Sequence, residues 1–272
     1  MNTKTQPLFN SQSQTIASLL EVQSLSLFYQ QQAAFRDVTF SIPQNSITAI
    51  VGASGCGKSS FLTCINRLSD LTPGCRVTGR IQLGTIDILD AKTDTTALRR
   101  RIGTIFQKPS PFPMSIIKNI TFPLREHGIK SKEQRLQIAE KVLEDVGLWQ
   151  EVKDRLQDNA LLLSGGQKQR LCIARTLALQ PSILLMDEPC SALDPISSAV
   201  VEELVLNLKE KYSYTIIIVT HNLAQARRIA DYCALFWLQD GCGRLIEFAP
   251  TEEFFNHPNS EITQAYISGM RG

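Results

Sequence analysis

Along the first third of the chain, apolar residues alternate with polar ones. Val22 is followed by Val38, Phe40 and Ile42 at every second position, and then by Ile81 and Leu83. That period turns one side of each segment toward a core and predicts half-buried strands, an antiparallel β layer, between residues 20 and 84. Two later runs differ. Ile183-Leu184-Leu185-Met186 and Thr215-Ile216-Ile217-Ile218-Val219 are continuously apolar, the pattern of strands covered on both faces of a parallel sheet. Helical periodicity follows each, so the fold class is α/β with a mostly parallel core sheet.

Between 106 and 163 the strand pattern vanishes. A proline-rich loop, Lys108-Pro109-Ser110-Pro111-Phe112-Pro113, gives way to helices. The longest is predicted over 132–146. It opens with Ser131 and Gln134 in capping-box spacing, aligns Leu136, Ala139, Leu143 and Val146 on one face, and closes at Gly147. This reads as a helical subdomain, about 108–176, inserted into the α/β core. Residues 20–272 form the main unit behind a polar tail, 1–19, and no internal repeat is visible.

Where the pattern passes from a short strand (46–51) to a helix (59–68), the connection is Gly52-Ala53-Ser54-Gly55-Cys56-Gly57-Lys58-Ser59. Glycines at these positions let backbone N–H groups turn inward around phosphates. The lysine reaches the outer phosphates and the serine hydroxyl ligates Mg²⁺. The helix N-terminus then presents its partial positive charge to the same anion. The segment is a P-loop, and ATP with Mg²⁺ is the ligand expected.

Chemistry gathers at the ends of the other core strands. Asp187 and Glu188 follow the run 183–186, at the carboxyl edge where open α/β sheets bind ligands. Asp187 is placed to hold Mg²⁺, and Glu188 to polarise an attacking water. Gln107 follows a strand predicted over 102–106, and His221 a strand over 215–220. An amide and an imidazole near a terminal phosphate can order water and sense the phosphate. Tyr29, ahead of the P-loop, is a candidate for stacking on the base. His127 and His257 are assigned no chemistry.

A second phosphate-binding pattern, Leu163-Ser164-Gly165-Gly166-Gln167, precedes a helix predicted over 167–179 and offers another set of helix N-terminal amides. One chain has no second nucleotide for it. A two-fold homodimer resolves this, each chain's Ser164–Gln167 segment closing over nucleotide held by the other's P-loop.

Composition narrows the setting. With 272 residues and 43% apolar content, the chain can bury a large core. No apolar run approaches the roughly 18 residues that span a bilayer, and residues 1–18 are Gln/Ser/Thr-rich without an apolar signal core, so a cytosolic location is expected. The seven cysteines, Cys56, Cys64, Cys75, Cys172, Cys190, Cys233 and Cys242, show no zinc-like grouping and are expected as free thiols. A net charge of +2 gives no general attraction to nucleic acid. The run Arg99-Arg100-Arg101 is expected to be a solvated helix face.

The P-loop, Gln107, Leu163–Gln167, Asp187-Glu188, Ser191-Ala192-Leu193-Asp194 and His221, in this order, resemble the nucleotide-binding subunit of ATP-binding-cassette transporters over residues 20–272. The resemblance implies that Gln107 joins Ser59 and Asp187 at Mg²⁺, that Ser60 keeps a phosphate-facing hydroxyl, that Tyr29 stacks on adenine and that Asp194 lies at the dimer seam. Further segments resemble the ATP-binding subunit of bacterial phosphate importers: 108–116, Glu151-Val152-Lys153-Asp154-Arg155-Leu156, 169–175, 187–197 and Tyr266-Ile267-Ser268-Gly269. That implies an ATPase peripheral to the cytoplasmic face of the cell membrane, two integral permease subunits and an extracytoplasmic phosphate-binding protein. This chain departs from the family at Ala53, Ser60, Lys168 and Gln30, the last standing where glycine is usual. Its Asp240-Gly241-Cys242-Gly243 is expected as a lengthened hairpin turn. The alternatives are an importer ATPase for another solute, a soluble cassette ATPase of repair or translation, and a small-molecule kinase using the P-loop alone.

Overall fold

A computed structural model describes residues 18–269. The strands are β1 (Ser18–Tyr29), β2 (Gln32–Pro43), β3 (Ile47–Val51), β4 (Cys75–Leu83), β5 (Ile86–Asp87), β6 (Ile102–Ile105), β7 (Ile183–Asp187), β8 (Thr215–Val219), β9 (Tyr232–Gln239) and β10 (Cys242–Pro250). The helices are α1 (Lys58–Ile65), α2 (Thr95–Arg101), α3 (Ile116–Glu126), α4 (Lys132–Asp145), α5 (Trp149–Val152), α6 (Gly165–Leu177), α7 (Pro195–Tyr212), α8 (Leu223–Ile229), α9 (Thr251–Asn256) and α10 (Glu261–Ile267). The expectation for residues 1–17 lies outside the described residues, whereas Ser18 and Leu19 already belong to β1.

The strands hydrogen-bond into one ten-stranded sheet in the order β5-β4-β1-β2-β10-β9-β3-β8-β7-β6. From β9 to β6 every neighbour is parallel, as the two continuously apolar runs require. The antiparallel strands are not a detached layer. They join the core through a single parallel pair, Gly243 to Phe35, between β10 and β2.

Alternation along the central strands divides two cores. On β7, Leu184 and Met186 face the helices α3, α4, α6 and α7, while Ile183 and Leu185 face the opposite side; on β8, Ile216 and Ile218 oppose Ile217 and Val219 in the same way. The second core also contains Leu20, Val22, Val38, Ile42 and Ile81 of the antiparallel strands and Phe61, Leu62 and Ile65 of α1. Helix α1 is thus clamped between the parallel and antiparallel parts of the one sheet. Phe61 lies 5.5 Å from both Phe40 and Phe236 and 6.1 Å from Phe35, ring centroid to centroid. Truncating such a ring costs about 3–5 kcal/mol, so α1, and the loop entering it, is held from both sides.

Helices α3 to α6 fall between β6 and β7 in sequence. The packed stripe of α4 is Ala139, Val142, Leu143 and Val146, whereas Leu136 is 42% exposed beyond its end. Ser131 Oγ accepts from Gln134 N. The helix closes with Gly147 N donating to Glu144 O and Leu148 N to Leu143 O, the two bonds of a Schellman turn. Helix α1 stops at Ile65, short of the expected 68, because Arg67 takes φ 57°. Helix α6 begins at Gly165 rather than 167, since Ser164 caps it. The expected lengthened turn at 240–243 is instead tight: only Asp240 and Gly241 separate β9 from β10, both with positive φ, as a primed two-residue hairpin turn demands. No described helix is long and apolar enough to cross a membrane, and all seven cysteines are free.

Candidate nucleotide site

Strand β3 delivers the P-loop into a cleft of about 860 Å³ lined by Tyr29, Gln32, Ala33, Ala34, Ser54, Gly55, Gly57, Lys58, Ser59, Ser60, Gln107, Glu188, His221, Leu238 and Gly241. Ten of these residues were legible as site candidates in the sequence. Gly52, Ala53 and Cys56 do not line the cleft but form the back of the loop, and the Cys56 side chain is fully buried. Burial pushes the Cys56 thiol up, although Lys58 Nζ at 3.7 Å opposes this. A protonated, buried thiol is inert.

Lys58 is only 7% exposed, and its ammonium donates to Gly52 O at 2.8 Å and Ala53 O at 2.7 Å. The charge therefore lies across the mouth of its own loop. Gly52 has no alternative residue type. Its φ is +139°, and a Cβ there would fall 1.9 Å from Phe236 O.

Ser59 Oγ donates to Asp187 Oδ1 at 2.9 Å. Burial holds the Asp187 carboxyl above the usual carboxylate range; the bond from Ser59 and the Lys58 charge pull it down, and Glu188 adds to the rise. A half-buried carboxylate paired only with a hydroxyl is a fit for a cation. Among the described residues no cluster of three or more His, Cys, Asp or Glu could hold a metal by itself. A Mg²⁺ ion held by Ser59 and Asp187 would take its remaining oxygens from phosphate and water, as its preference for few protein ligands allows.

Glu188 adopts φ 45°, the left-handed region that non-glycine residues rarely occupy and that concentrates at functional sites. Its N–H donates to Val219 O at 2.9 Å. Two groups meet its carboxylate: Gln107 Nε2 donates to Oε2 at 3.1 Å, and His221 Nδ1 lies 3.3 Å from the same oxygen. Gln107 thus touches Glu188 in this structure, not Ser59 or Asp187. At the other end of the cleft the Tyr29 hydroxyl donates to Ser60 Oγ at 3.2 Å, and Ala33, Ala34 and Leu238 give an apolar wall suited to a flat base. Gln30 carries φ 55°, which explains why glycine suits that position.

Ser164, Gly165, Gly166, Gln167 and Asp194 do not line this cleft. Ser164 and Gln167 close a reciprocal capping box at the start of α6, which leaves the first-turn amides of Gly165 and Gly166 without an intrahelical partner. Gly166 abuts α7, where a Cβ would stand 2.6 Å from Ser197 Oγ. Ser197 in turn donates from Oγ and N to Asp194, which caps α7. The structure therefore unites the Ser164 segment with Asp194 and separates both from the P-loop.

Two contributors carry no role that the sequence makes legible. Glu151 accepts from Gln167 Nε2 at 2.8 Å and pairs with Arg170 at 2.8 Å, fixing the first turn of α6. Burial raises the Glu151 carboxyl, but the bonds from Arg170 and Gln167 outweigh it and the net shift is downward. The Tyr266 hydroxyl accepts from Gly52 N at 3.1 Å. Both residues lie in segments that stood out by resemblance alone. Arg99 also departs from a solvated face: it donates to Asn66 O and Arg67 O, closing the end of α1.

A glycine-rich cradle, a serine–aspartate pair and a strained glutamate at the carboxyl edge of a parallel sheet define a nucleotide hydrolase, and residues 35–191 match the ABC transporter family. The chain belongs to that family. Among its relatives are phosphate import ATP-binding proteins. PstB 1 of Nitrosococcus oceani is 54% identical over 255 residues, covering 94% of this chain and 91% of that protein. PstB of Synechococcus elongatus is 51% identical, covering 93% and 97%. PstB 2 of Bacillus licheniformis is 50% identical, covering 93% and 90%. The fold matches cbiO1 of Clostridium perfringens, part of the ABC transporter complex cbiONQ, with a TM-score of 0.74 and 27% identity over 88% of this chain and 91% of that one.

Proposed function

We propose that this chain is the ATPase subunit of a phosphate importer, working as a homodimer that closes on Mg·ATP and reopens on hydrolysis. Residues 20–272 form the nucleotide-binding unit, with the insertion at about 108–176 carrying the Ser164 segment. The observation that carries the dimer is a separation within one chain: exposed Gly165 amides and the Asp194 cap lie outside the cleft that holds Lys58 and Glu188. A second copy related by a two-fold axis supplies what each cleft lacks.

Lys58 trades its two carbonyl partners for phosphate oxygens, and the amides of 54–59 surround them. Ser59 and Asp187 hold Mg²⁺, which neutralises the charge that builds on the outer phosphates. Glu188, with His221 and Gln107 on one carboxylate oxygen, orients water and takes its proton. Positioning and charge neutralisation supply most of the acceleration in phosphoryl transfer. The phosphate assignment draws on the relatives' names, because no residue of this chain need touch the solute.

Exposed Phe112 and Phe122, each 38% accessible, meet edge-on at 6.2 Å where the insertion leaves the core, with Arg175 4.3 Å above the Phe112 ring. Such a patch suits docking onto two integral permease subunits at the cytoplasmic face of the membrane, with an extracytoplasmic phosphate-binding protein completing the complex. Nucleic acid has no place in this reading. Affinity purification from native membranes tests it. Co-purification of phosphate permease subunits supports the assignment, and permeases for another solute overturn the substrate while leaving the ATPase.

A further inference from the structure

We propose that Tyr266 is a positioning residue for the phosphate cradle, coupling the docking of the C-terminal helix α10 to nucleotide affinity. The inference rests on reading the cleft as an ATP site.

Gly52 is the residue at which the chain leaves β3 and becomes the P-loop, and each of its backbone groups is held by a different element. Its N–H donates to the Tyr266 hydroxyl at 3.1 Å, its C=O accepts from Lys58 Nζ at 2.8 Å, and its Cα face lies against Phe236 O of β9. A side-chain hydroxyl more than two hundred positions downstream therefore fixes the peptide unit that enters the loop, and the peptide unit that leaves it holds the phosphate-binding lysine. Phe236 and Lys58 belong to the sheet and to the loop itself, whereas Tyr266 reaches Gly52 from the C-terminal helix α10.

Tyr266 is itself well held. It is 7% exposed, and its ring meets that of Trp237 on β9 edge-on, with centroids 5.6 Å apart at 60°. Helix α10 is anchored by Glu247 of β10, whose carboxylate accepts from Asn259 N at 2.9 Å and Ser260 N at 3.2 Å, while Ser260 caps the helix through Ile262 N. Glu247 is 8% exposed. These contacts place a rigid hydroxyl, on a side chain with little rotamer freedom, beneath a loop whose glycines otherwise leave it soft. Removing the hydroxyl leaves a buried N–H unpaired, and the loop can recover that bond only by tilting the Gly52 peptide, which moves the carbonyl that Lys58 holds.

The test compares full-length wild type with Tyr266→Phe and with Phe254→Leu. The second variant trims the buried ring of α9 and leaves the hydroxyl in place. One hydrogen bond lost under the cradle raises the KM and Kd for Mg·ATP about threefold or more. The kcat stays within about twofold, because the cradle holds ground state and transition state alike. Phe254→Leu lowers Tm without that split. An unchanged KM in Tyr266→Phe, or KM and kcat changing together in it, overturns the inference while the ATPase reading stands. A wild-type chain that binds no Mg·ATP overturns both.

Discussion

Ser59 and Asp187 are 128 residues apart in sequence, yet Ser59 Oγ donates to Asp187 Oδ1 across 2.9 Å. The pair joins the first turn of α1 to the end of β7, and it leaves a half-buried carboxylate with one weak partner. In the nucleotide-free protein that carboxylate is a liability, since burial disfavours its charge. Asp187→Asn removes the charge and keeps the shape. Its Tm without nucleotide at neutral pH should equal or exceed that of wild type, while Mg²⁺-dependent hydrolysis is lost. A clearly lower Tm in calorimetry would show that the charge stabilises the empty site.

Glu188 is the carboxylate that Gln107 and His221 share. Glu188→Gln keeps the size of the side chain and removes the proposed base. Turnover should fall by about 10²–10⁴-fold, with the Kd for Mg·ATP changed little. Saturated with nucleotide, this variant should sediment as a dimer. Hydrolysis at the wild-type rate would remove Glu188 from the role of base.

Gly52→Ala puts a methyl 1.9 Å from a main-chain oxygen at φ +139°. Neither the β9 backbone nor the loop can yield without breaking the sheet. The expected outcome is a loss of more than about 2 kcal/mol in stability together with loss of nucleotide binding, read by thermal melting and equilibrium binding. A folded, ATP-competent variant would contradict the geometry.

Glu151 ties Gln167 and Arg170 to the start of the Ser164 helix. Its carboxyl is held below the ordinary value of 4.5. The folded value lies below the unfolded one, so its contribution is complete above about pH 4.5 and is lost as pH falls through the folded value. The pair is partly solvated, so the contribution is about 0.2–1 kcal/mol. Glu151→Ala should lower Tm slightly at pH 7 and not at pH 3. In a Glu188→Gln background it should also weaken ATP-dependent dimerisation, measured by light scattering.

Periodicity reached the parallel strands well because β7 and β8 are covered on both faces, and a run that is apolar at every position fits no half-exposed element. The placement of the P-loop, Asp187 and Glu188 at one sheet edge was legible for a related reason: each directly follows a short apolar strand, so local sequence fixes its position. Element ends were less visible. Helix α1 ends where Arg67 takes positive φ, and α6 begins at a cap two residues before the pattern suggested, both decided by backbone geometry that hydrophobic spacing does not encode. Tyr266 and Glu151 were invisible as contributors because each acts through a backbone or side-chain contact with a residue distant in sequence. Leu136 misled through its spacing, since a stripe has no marker for the turn at which its neighbour ends.

The main-chain oxygens pressed against Gly52 and against Gly243, where a Cβ would lie 2.1 Å from Cys56 O, belong to strands and loops drawn from opposite ends of the polypeptide. The cradle therefore has no shape of its own until β9 and β10 have arrived, long after its residues leave the ribosome. A nascent chain halted before the hairpin will be blind to ATP, and the appearance of affinity during refolding will mark the closing of the sheet, not the formation of the loop.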